Sequence, residues 1–247
     1  MERNFRLTLC YDGTRYRGWQ RQGNTSDTIQ GKLETLLSRL LGQEVEVHGS
    51  GRTDAGVHAL GQTASFRADT DLSCGELLSS IRSFLPEDIG ALSLEEAPVR
   101  FHARLSAKEK TYVYRIWNSE APCVFERRYV FVYPAALDTR AMEDAAQMLC
   151  GRHDFSAFSS GKKKGRSCVR TLRSAEVRRD GNEIRLTFTA DGFLYNMVRI
   201  MTGTLLEIGS GERPADDIGR IFLSRDRSES GFTAPARGLC LMSVSYE

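Results

Sequence analysis

A glycine-rich stretch with a single acid is the part of this sequence best suited to chemistry. It runs from Gly49 to Phe66, reads GSGRTDAGVHALGQTASF, and has Asp54 near its centre. The glycines let the backbone take angles that other residues avoid, so a short side chain can be presented at a surface. Arg52, two residues earlier, would keep a neighbouring carboxylate ionised. The stretch predicts either a reactive carboxylate or a turn in which Asp54 bonds to its own backbone.

The common phosphate-binding loops do not fit this stretch. A P-loop ends in Gly-Lys-Ser/Thr, and a dinucleotide-binding loop reads Gly-x-Gly-x-x-Gly. Here Gly51 is followed by Arg52, Thr53 and Asp54, which matches neither pattern. The negative charge of Asp54, at the point where a bound phosphate would come closest to the loop, would also repel that phosphate. We therefore do not expect this stretch to bind the phosphate groups of a nucleotide.

Composition excludes several classes of protein. The chain has 247 residues, 40% of them hydrophobic and 27% charged, which is typical of a soluble globular protein with one large or two small domains. The net charge is only +2, so any surface that binds nucleic acid must be sought in local clusters of cations and not in the total charge. Six cysteines without a CxxC pair and four histidines without ligand spacing indicate neither a zinc site nor a disulfide framework. We expect a cytoplasmic protein without metal or membrane span.

Short strands alternate with amphipathic helices along the chain. The predicted strands cover 5–11, 45–47, 63–67, 89–94, 112–116, 175–179 and 184–189. The first predicted helix is capped by Ser26, Asp27 or Thr28 and runs through Leu41, and the others cover 73–85, 138–150 and 193–211. This alternation predicts an α+β fold with a mostly antiparallel sheet and helices packed on it. We place two halves at 1–105 and 106–247, with a boundary anywhere between 105 and 138.

Two segments carry clustered cations. Residues 14–22 read TRYRGWQRQ and place Arg15, Arg17 and Arg21 around Trp19, an arrangement that suits RNA because cations meet phosphates and aromatic faces stack on bases. The alternative is a surface loop whose Trp19 folds back onto the core. The second segment, residues 161–173, has no acid and is either a phosphate-binding arm or a solvated loop. Its cations are Lys162, Lys163, Lys164, Arg166, Arg170 and Arg173.

Several strings resemble one family. GRTDAGVHA with its following GQ closely resembles the signature of the TruA family of tRNA pseudouridine synthases. YDGTRYRGWQRQ, the strand with Tyr112, DFSAF, FLYNMVRIMTG and the closing APARGL resemble further blocks of that family, so the likeness runs from the first strand to the last residues. The resemblance implies two similar, ferredoxin-like or RRM-like halves that share the sheet, with the active-site cleft between them.

The resemblance also implies roles for individual residues. The acid of the RTDAGVHA string is the family's catalytic aspartate, here Asp54, and Arg199 matches the basic residue that pairs with it. Tyr112 matches the tyrosine that stacks on the target uracil, and Leu239 matches an apolar position of the uracil pocket. Arg52 is placed to fill the space left when the base leaves its helical stack. By residue type alone, Tyr112 and Leu239 equally suit a core, and Arg199 suits any buried acid.

The implied reaction is isomerisation of uridine to pseudouridine in the anticodon stem-loop of tRNA. It needs no cofactor, because the base is detached from the ribose and rejoined through another atom. Asp54 would attack C1′ or C6, or remove the 2′ proton, and the sequence does not choose among these. The family works as a homodimer that contacts one tRNA. Two other functions stay open: a catalytically inert RNA-binding or tRNA-chaperone protein, and an acid hydrolase, which would lack an obvious second carboxylate.

Overall fold

The computed structural model describes residues 2–161, 165 and 167–247. The cations at 162–164 and 166 lie outside the described residues, so the phosphate-binding arm stays a prediction. The chain forms two compact units, Met1–Lys108 with Leu241–Glu247, and Glu109–Cys240. The division at 105 and 106 stays a prediction about domains; in the structure the last residues of the chain return to the first unit.

The first unit is an antiparallel sheet with two helices. Its strands lie in the order β4-β1-β3-β10, and β2 adds to β3. Helix α2 packs against β4, and helix α1 packs against β2 and α2. The elements are β1 (Glu2–Tyr11), α1 (Ile29–Leu41), β2 (Val47–Gly49), β3 (His58–Asp69), α2 (Cys74–Phe84), β4 (Ile89–Glu96) and β10 (Leu239–Ser245), which begins in the second unit.

Helix α1 begins after Thr28, one of its three predicted capping residues, and ends at a glycine. The Thr28 hydroxyl accepts a hydrogen bond from the backbone of the first turn, and Gly42 ends the helix in the left-handed conformation. Ile29, Leu33 and Leu37 are fully buried along one face. Each such side chain contributes about 1.5–3 kcal/mol, whereas an N-cap bond contributes about 1 kcal/mol. The apolar face therefore positions the helix, and the cap sets where it starts.

The core of the first unit follows from the alternation in β1. Phe5, Leu7 and Leu9 are fully buried, and the polar residues between them face the other side of the sheet. The ring of Phe5 stacks on that of Phe66 in β3, with the ring centroids 5.1 Å apart. This cross-strand pair fixes the register of β1 against β3, because a slip of one residue would turn both rings to the opposite face.

The second unit has the strand order β5-β9-β8-β7, all antiparallel, with β6 parallel to β5. Helix α3 packs on β8 and α4, and α4 packs on β5. The elements are β5 (Glu109–Trp117), β6 (Phe131–Val132), α3 (Thr139–Leu149), β7 (Gly151–Asp154), β8 (Val169–Asp180), β9 (Glu183–Ala190), α4 (Met197–Gly209) and α5 (Asp217–Ser224).

The predicted α+β fold with mostly antiparallel strands and packed helices is confirmed, and several elements differ in detail. Strand β8 begins at Val169 rather than 175 because its first residues pair with the short strand β7, which has no apolar pattern of its own. Helix α4 begins at Met197 rather than 193 because Asn196 takes a left-handed φ of 61°. Helix α5 was not predicted. Within the described residues, no helix combines the length and apolarity needed to cross a membrane.

Candidate active site

Asp54 lies in a tight turn between β2 and β3. The backbone N–H of Val57 donates to the Asp54 carbonyl at 3.1 Å, and Gly56 supplies the positive φ of 78° within the turn. Side chains along the turn alternate in direction: Arg52 is exposed, Thr53 is buried and Asp54 is half-buried. The carboxylate is therefore presented at the surface by a loop whose shape the glycine permits.

A buried polar network holds this loop from behind. The Thr53 and Tyr11 hydroxyls share a hydrogen bond of 2.8 Å. The Gln62 amide nitrogen donates to the Tyr11 hydroxyl at 3.3 Å and to the Gly51 carbonyl at 3.0 Å, while its oxygen accepts from Ser50 at 2.6 Å. Leaving one such buried group unpaired costs about 1–3 kcal/mol. The network therefore resists any displacement of the loop. No local pattern had indicated Tyr11 or Gln62 in this role.

The segment YDGTRYRGWQRQ, residues 11–22, packs against the Asp54 loop. The backbone N–H of Trp19 donates to the Thr53 carbonyl at 3.0 Å, and the backbone N–H of Gly56 donates to the Tyr16 carbonyl at 3.3 Å. Gly18, with φ of 95°, comes so close that a Cβ there would lie 2.6 Å from the Thr53 carbonyl oxygen. This block is a brace for the loop, a role that its cations and aromatics did not indicate.

Trp19 is a core residue, so its predicted place on the RNA-binding surface is wrong. Its side chain is only 2% exposed, and its ring lies 6.3 Å from the ring of Tyr11. A Cβ on Gly49 would lie 2.3 Å from the indole, so the ring packs directly on the backbone of β2. An indole covered in this way has no face left for a base. The alternative that Trp19 folds back onto the core is the one that the structure supports.

The three arginines of this block are all at the surface. The Arg15 guanidinium pairs with the Asp88 carboxylate, its Nε lying 2.8 Å from Oδ2, and Arg21 donates to Glu34 at 3.2 Å. Arg17 is exposed as well. The side chains of Arg15 and Arg21 are each 68% exposed although their carboxylate partners are largely covered, so both guanidinium groups keep an open side for phosphates. Their contact with RNA stays a prediction.

Arg52 is tied to helix α1 through a chain of amides. Its Nε donates to the Gln20 side-chain oxygen at 2.9 Å, and the Gln20 amide nitrogen donates to Gln30 at 2.6 Å. Gln30 then donates to the buried Glu34 at 2.9 Å. The guanidinium two residues before Asp54 thus has a defined resting position. The sequence indicated Arg52 but neither glutamine, because nothing in local spacing reveals a contact between segments 32 residues apart.

In the second unit, Arg199 binds the segment that precedes β10. Its Nε donates to the Ala234 carbonyl at 2.7 Å, and its Nη1 donates to the Asn196 side-chain oxygen at 3.0 Å. The Ala234 N–H in turn donates to the Arg199 carbonyl at 3.0 Å. The guanidinium is thus oriented by fixed acceptors, and the half-buried side chain keeps a defined direction. Its pairing with Asp54 stays a prediction.

Tyr112 and Leu239 are largely covered in the second unit. Tyr112 is 6% exposed and meets the ring of Phe193 edge-on, with centroids 5.1 Å apart, while Leu239 is 5% exposed. The next inward residue of β5, Tyr114, donates its hydroxyl to the Pro235 carbonyl at 2.7 Å. Burial raises the pKa of Tyr114 far above its usual value, so the phenol stays protonated. Three separate blocks of the sequence, 112–114, 193–199 and 234–239, therefore meet in this unit.

Within the described part of the chain, no group of three or more His, Cys, Asp and Glu side chains is arranged to hold a metal ion.

Comparison with known proteins identifies the family. The family described as tRNA pseudouridine synthase matches residues 9–105 and 145–247. A "tRNA pseudouridine synthase A" of Bacillus sp. (strain KSM-64) is 44% identical over 98% of this chain and 99% of its own length. Proteins named "tRNA pseudouridine synthase A 2" are 42% identical in Bacillus anthracis, over 98% of this chain and 99% of their own, and 41% identical in Clostridium tetani, over 100% of both. The chain belongs to the tRNA pseudouridine synthase family.

Proposed function

We propose that this protein isomerises uridine to pseudouridine in tRNA, with Asp54 as the catalytic carboxylate. The observation that carries the proposal is the rigid surface turn at Asp54, which coincides with the string most similar to the family signature. A turn that only reversed the chain would not need the buried network of Tyr11, Gln62 and Ser50 behind it. Preorganised groups of this kind support catalysis because reaction geometry tolerates little displacement.

The reaction rearranges bonds within one substrate. The N1–C1′ bond breaks, the base turns, and a C5–C1′ bond forms, while C5 loses a proton and N1 gains one. The Asp54 carboxylate acts at C1′, at C6 or on the 2′ proton, and it must be ionised for each of these. We assign Arg199 as the cation that favours the ionised form, on the match of both residues to their motif positions.

We assign three further residues to contact the uracil or to fill the space that it leaves. Tyr112 stacks the face of its ring on the uracil, and Leu239 helps to keep water from the reacting bonds. Arg52 leaves its partner Gln20 and occupies the gap that the extruded uridine leaves in the RNA. The exchange costs little because the guanidinium is exposed and the Gln20 oxygen that it leaves is a neutral acceptor.

The target arm and the assembly belong to the same proposal. We place the modified uridines in the anticodon stem-loop and the active form in a homodimer that contacts one tRNA, both on the family resemblance. Exposed arginines at 15, 17 and 21 offer phosphate contacts on the unit that carries Asp54. Sequencing of modified positions and sedimentation of the protein alone test these two assignments separately.

Tritium release tests the proposed function directly. Unmodified tRNA labelled with tritium at C5 of uridine should lose label to water when incubated with the wild-type protein and no additive, since each new C5–C1′ bond displaces the C5 hydrogen. Release should level off at a fixed number of uridines per tRNA. Tight tRNA binding without any release would instead identify a catalytically inert RNA-binding protein.

Substitutions at Tyr112 test base stacking. We expect pseudouridine formation to fall in the order wild type, Tyr112→Phe, Tyr112→Leu, because phenylalanine keeps the stacking face and leucine loses it; stacking on a base is worth about 1–3 kcal/mol. Rates at saturating tRNA and thermal midpoints should be measured for all three proteins. If the leucine variant works as well as the phenylalanine variant at equal stability, the ring does not stack on the base.

A further inference from the structure

A groove of about 1040 Å³ runs along helix α1 in the first unit. Its walls are the 21–26 segment, the outer face of α1 and the end of α2. Its lining includes the cations Arg21, Lys32 and Arg39 and the apolar side chains Leu36, Leu40 and Phe84. Among the described residues, none that lines this α1 groove is acidic. A concave surface with three cations and no acid favours an anionic occupant.

The cations of the α1 groove are available for such an occupant. Arg39 is exposed in the last turn of α1 and makes no ion pair within the described residues. Lys32 is paired with Asp27 at 3.4 Å, and the side chain of Arg21, paired with Glu34, is 68% exposed. A surface pair such as Lys32–Asp27 contributes little and exchanges readily. Arg21 keeps its bond to the buried Glu34, and its exposed side stays open to a phosphate. All three side chains can therefore reach phosphate oxygens without loss of a strong contact.

The apolar side chains that line the α1 groove are less covered than the helical pattern of the sequence predicts. The sequence places Leu36 and Leu40 in the same stripe as Leu33 and Leu37, yet both are only half-buried and line the groove instead. Phe84, at the end of α2, is 70% exposed. An exposed aromatic ring beside cations is the combination with which proteins hold single-stranded nucleic acid, the ring for a base and the cations for the backbone.

The α1 groove is continuous along the chain with the elements that position Arg52. Arg21 follows Gln20, whose oxygen accepts from Arg52, and the Arg21 backbone N–H donates to Gln30 at 2.9 Å. Both contacts lie within the unit that carries Asp54. Arg52 and the α1 groove therefore contact the same short segment, Gln20 and Arg21.

We propose that the α1 groove binds the ribose-phosphate backbone of the substrate tRNA, away from the reacting uridine, with Arg39 on a phosphate and Phe84 under an unpaired base. This rests on the proposed function, because it presupposes a tRNA substrate. A second copy of this chain fits the groove less well. Burying three cations in a protein interface costs free energy unless acidic side chains of the partner pair with them.

Two substitutions separate the charge from the ring. With unmodified tRNA transcript, Arg39→Ala should weaken binding several-fold and reduce the slope of log affinity against log salt by about 0.7–0.9, the change expected for one lost phosphate contact. Phe84→Ala should weaken binding about tenfold with the slope unchanged, because stacking releases no counterions. Both positions are exposed, so both variants should keep the wild-type thermal midpoint.

Arg100→Ala is the matched control. Arg100 is an exposed cation of the same unit that does not line the groove, and its removal should leave affinity and slope unchanged. An equal effect of Arg100→Ala and Arg39→Ala would overturn the proposal, since it would mean that total charge alone matters.

The outcomes also separate this inference from the proposed function. Wild-type protein that forms pseudouridine, with both groove variants unchanged in affinity and slope, overturns the groove assignment and leaves the function standing. Wild-type protein that neither binds nor modifies tRNA overturns both. If the groove variants instead change the sedimentation of the protein without RNA and leave tRNA affinity unchanged, the α1 groove joins two copies of the chain and the RNA assignment is wrong.

Discussion

Asp54→Asn is expected to abolish pseudouridine formation while leaving tRNA affinity within a few-fold of the wild type. Asparagine has nearly the same shape and suits the turn, so the loop should keep its backbone bonds. It lacks the negative charge that attack on carbon or removal of a proton requires. Affinity should persist because it comes from cations spread over a wide surface. The measurements are pseudouridine formed per enzyme, tRNA affinity and thermal midpoint.

Asp54→Glu is the companion variant. It keeps the charge but moves it by about one methylene, and a displacement near 1 Å can cost about 100-fold in rate. We therefore expect it to fail as well. A fully active Asp54→Asn protein would refute the catalytic role. An inactive variant counts in favour only if its thermal midpoint equals that of the wild type.

Gly18→Ala should impair both folding and turnover. Gly18 has a φ of 95°, and a Cβ there would lie 2.6 Å from the Thr53 carbonyl oxygen. An unfavourable backbone conformation of this kind costs about 1–3 kcal/mol, and the collision must also push the Asp54 loop away from the brace. We expect a lower thermal midpoint and, in the protein that remains folded, turnover reduced about 100-fold by displacement of the carboxylate.

Gly75→Ala is the control for this substitution. Gly75 lies in the first turn of helix α2, and a Cβ there would meet nothing within 4 Å. Alanine is favoured over glycine in a helix by about 0.5–1 kcal/mol, so stability should stay equal or rise while turnover is unchanged. A Gly18→Ala protein with wild-type turnover would show that the loop does not depend on the brace.

Local chemistry made the regular elements predictable. The cap at Thr28, the capping box of Ser73 with Glu76, and Gly42 as a left-handed terminator act within a few residues of their own helix ends, so the sequence reveals them. The alternation of β1 is likewise local, because successive side chains of a strand point to opposite faces. The Asp54 turn belongs to the same class, since its glycine requirement lies within the turn itself.

The direction in which ambiguous side chains point was decided only by the tertiary structure. Interleaved arginines and aromatics indicated an RNA-binding surface around Trp19, yet burial of the indole against Gly49 outweighs any local preference. Helical periodicity groups Leu36 and Leu40 with the buried Leu33, yet both are only half-buried. Periodicity reports which residues share a face and not how far a neighbouring element covers that face.

The contacts that hold the candidate site in place were also not predictable from the sequence. Gln20 holds Arg52 across 32 residues, Gln62 braces Gly51 across 11, and Arg199 reaches the Ala234 carbonyl across 35. Each contact joins segments that meet only when strands and helices pack, and an amide or guanidinium group can bond to many partners of similar energy. The sequence by itself indicated Asp54 as the candidate carboxylate and predicted the glycine-containing turn in which it lies. The packed structure decided which distant groups hold that turn in place, because such contacts depend on geometry that no local pattern encodes.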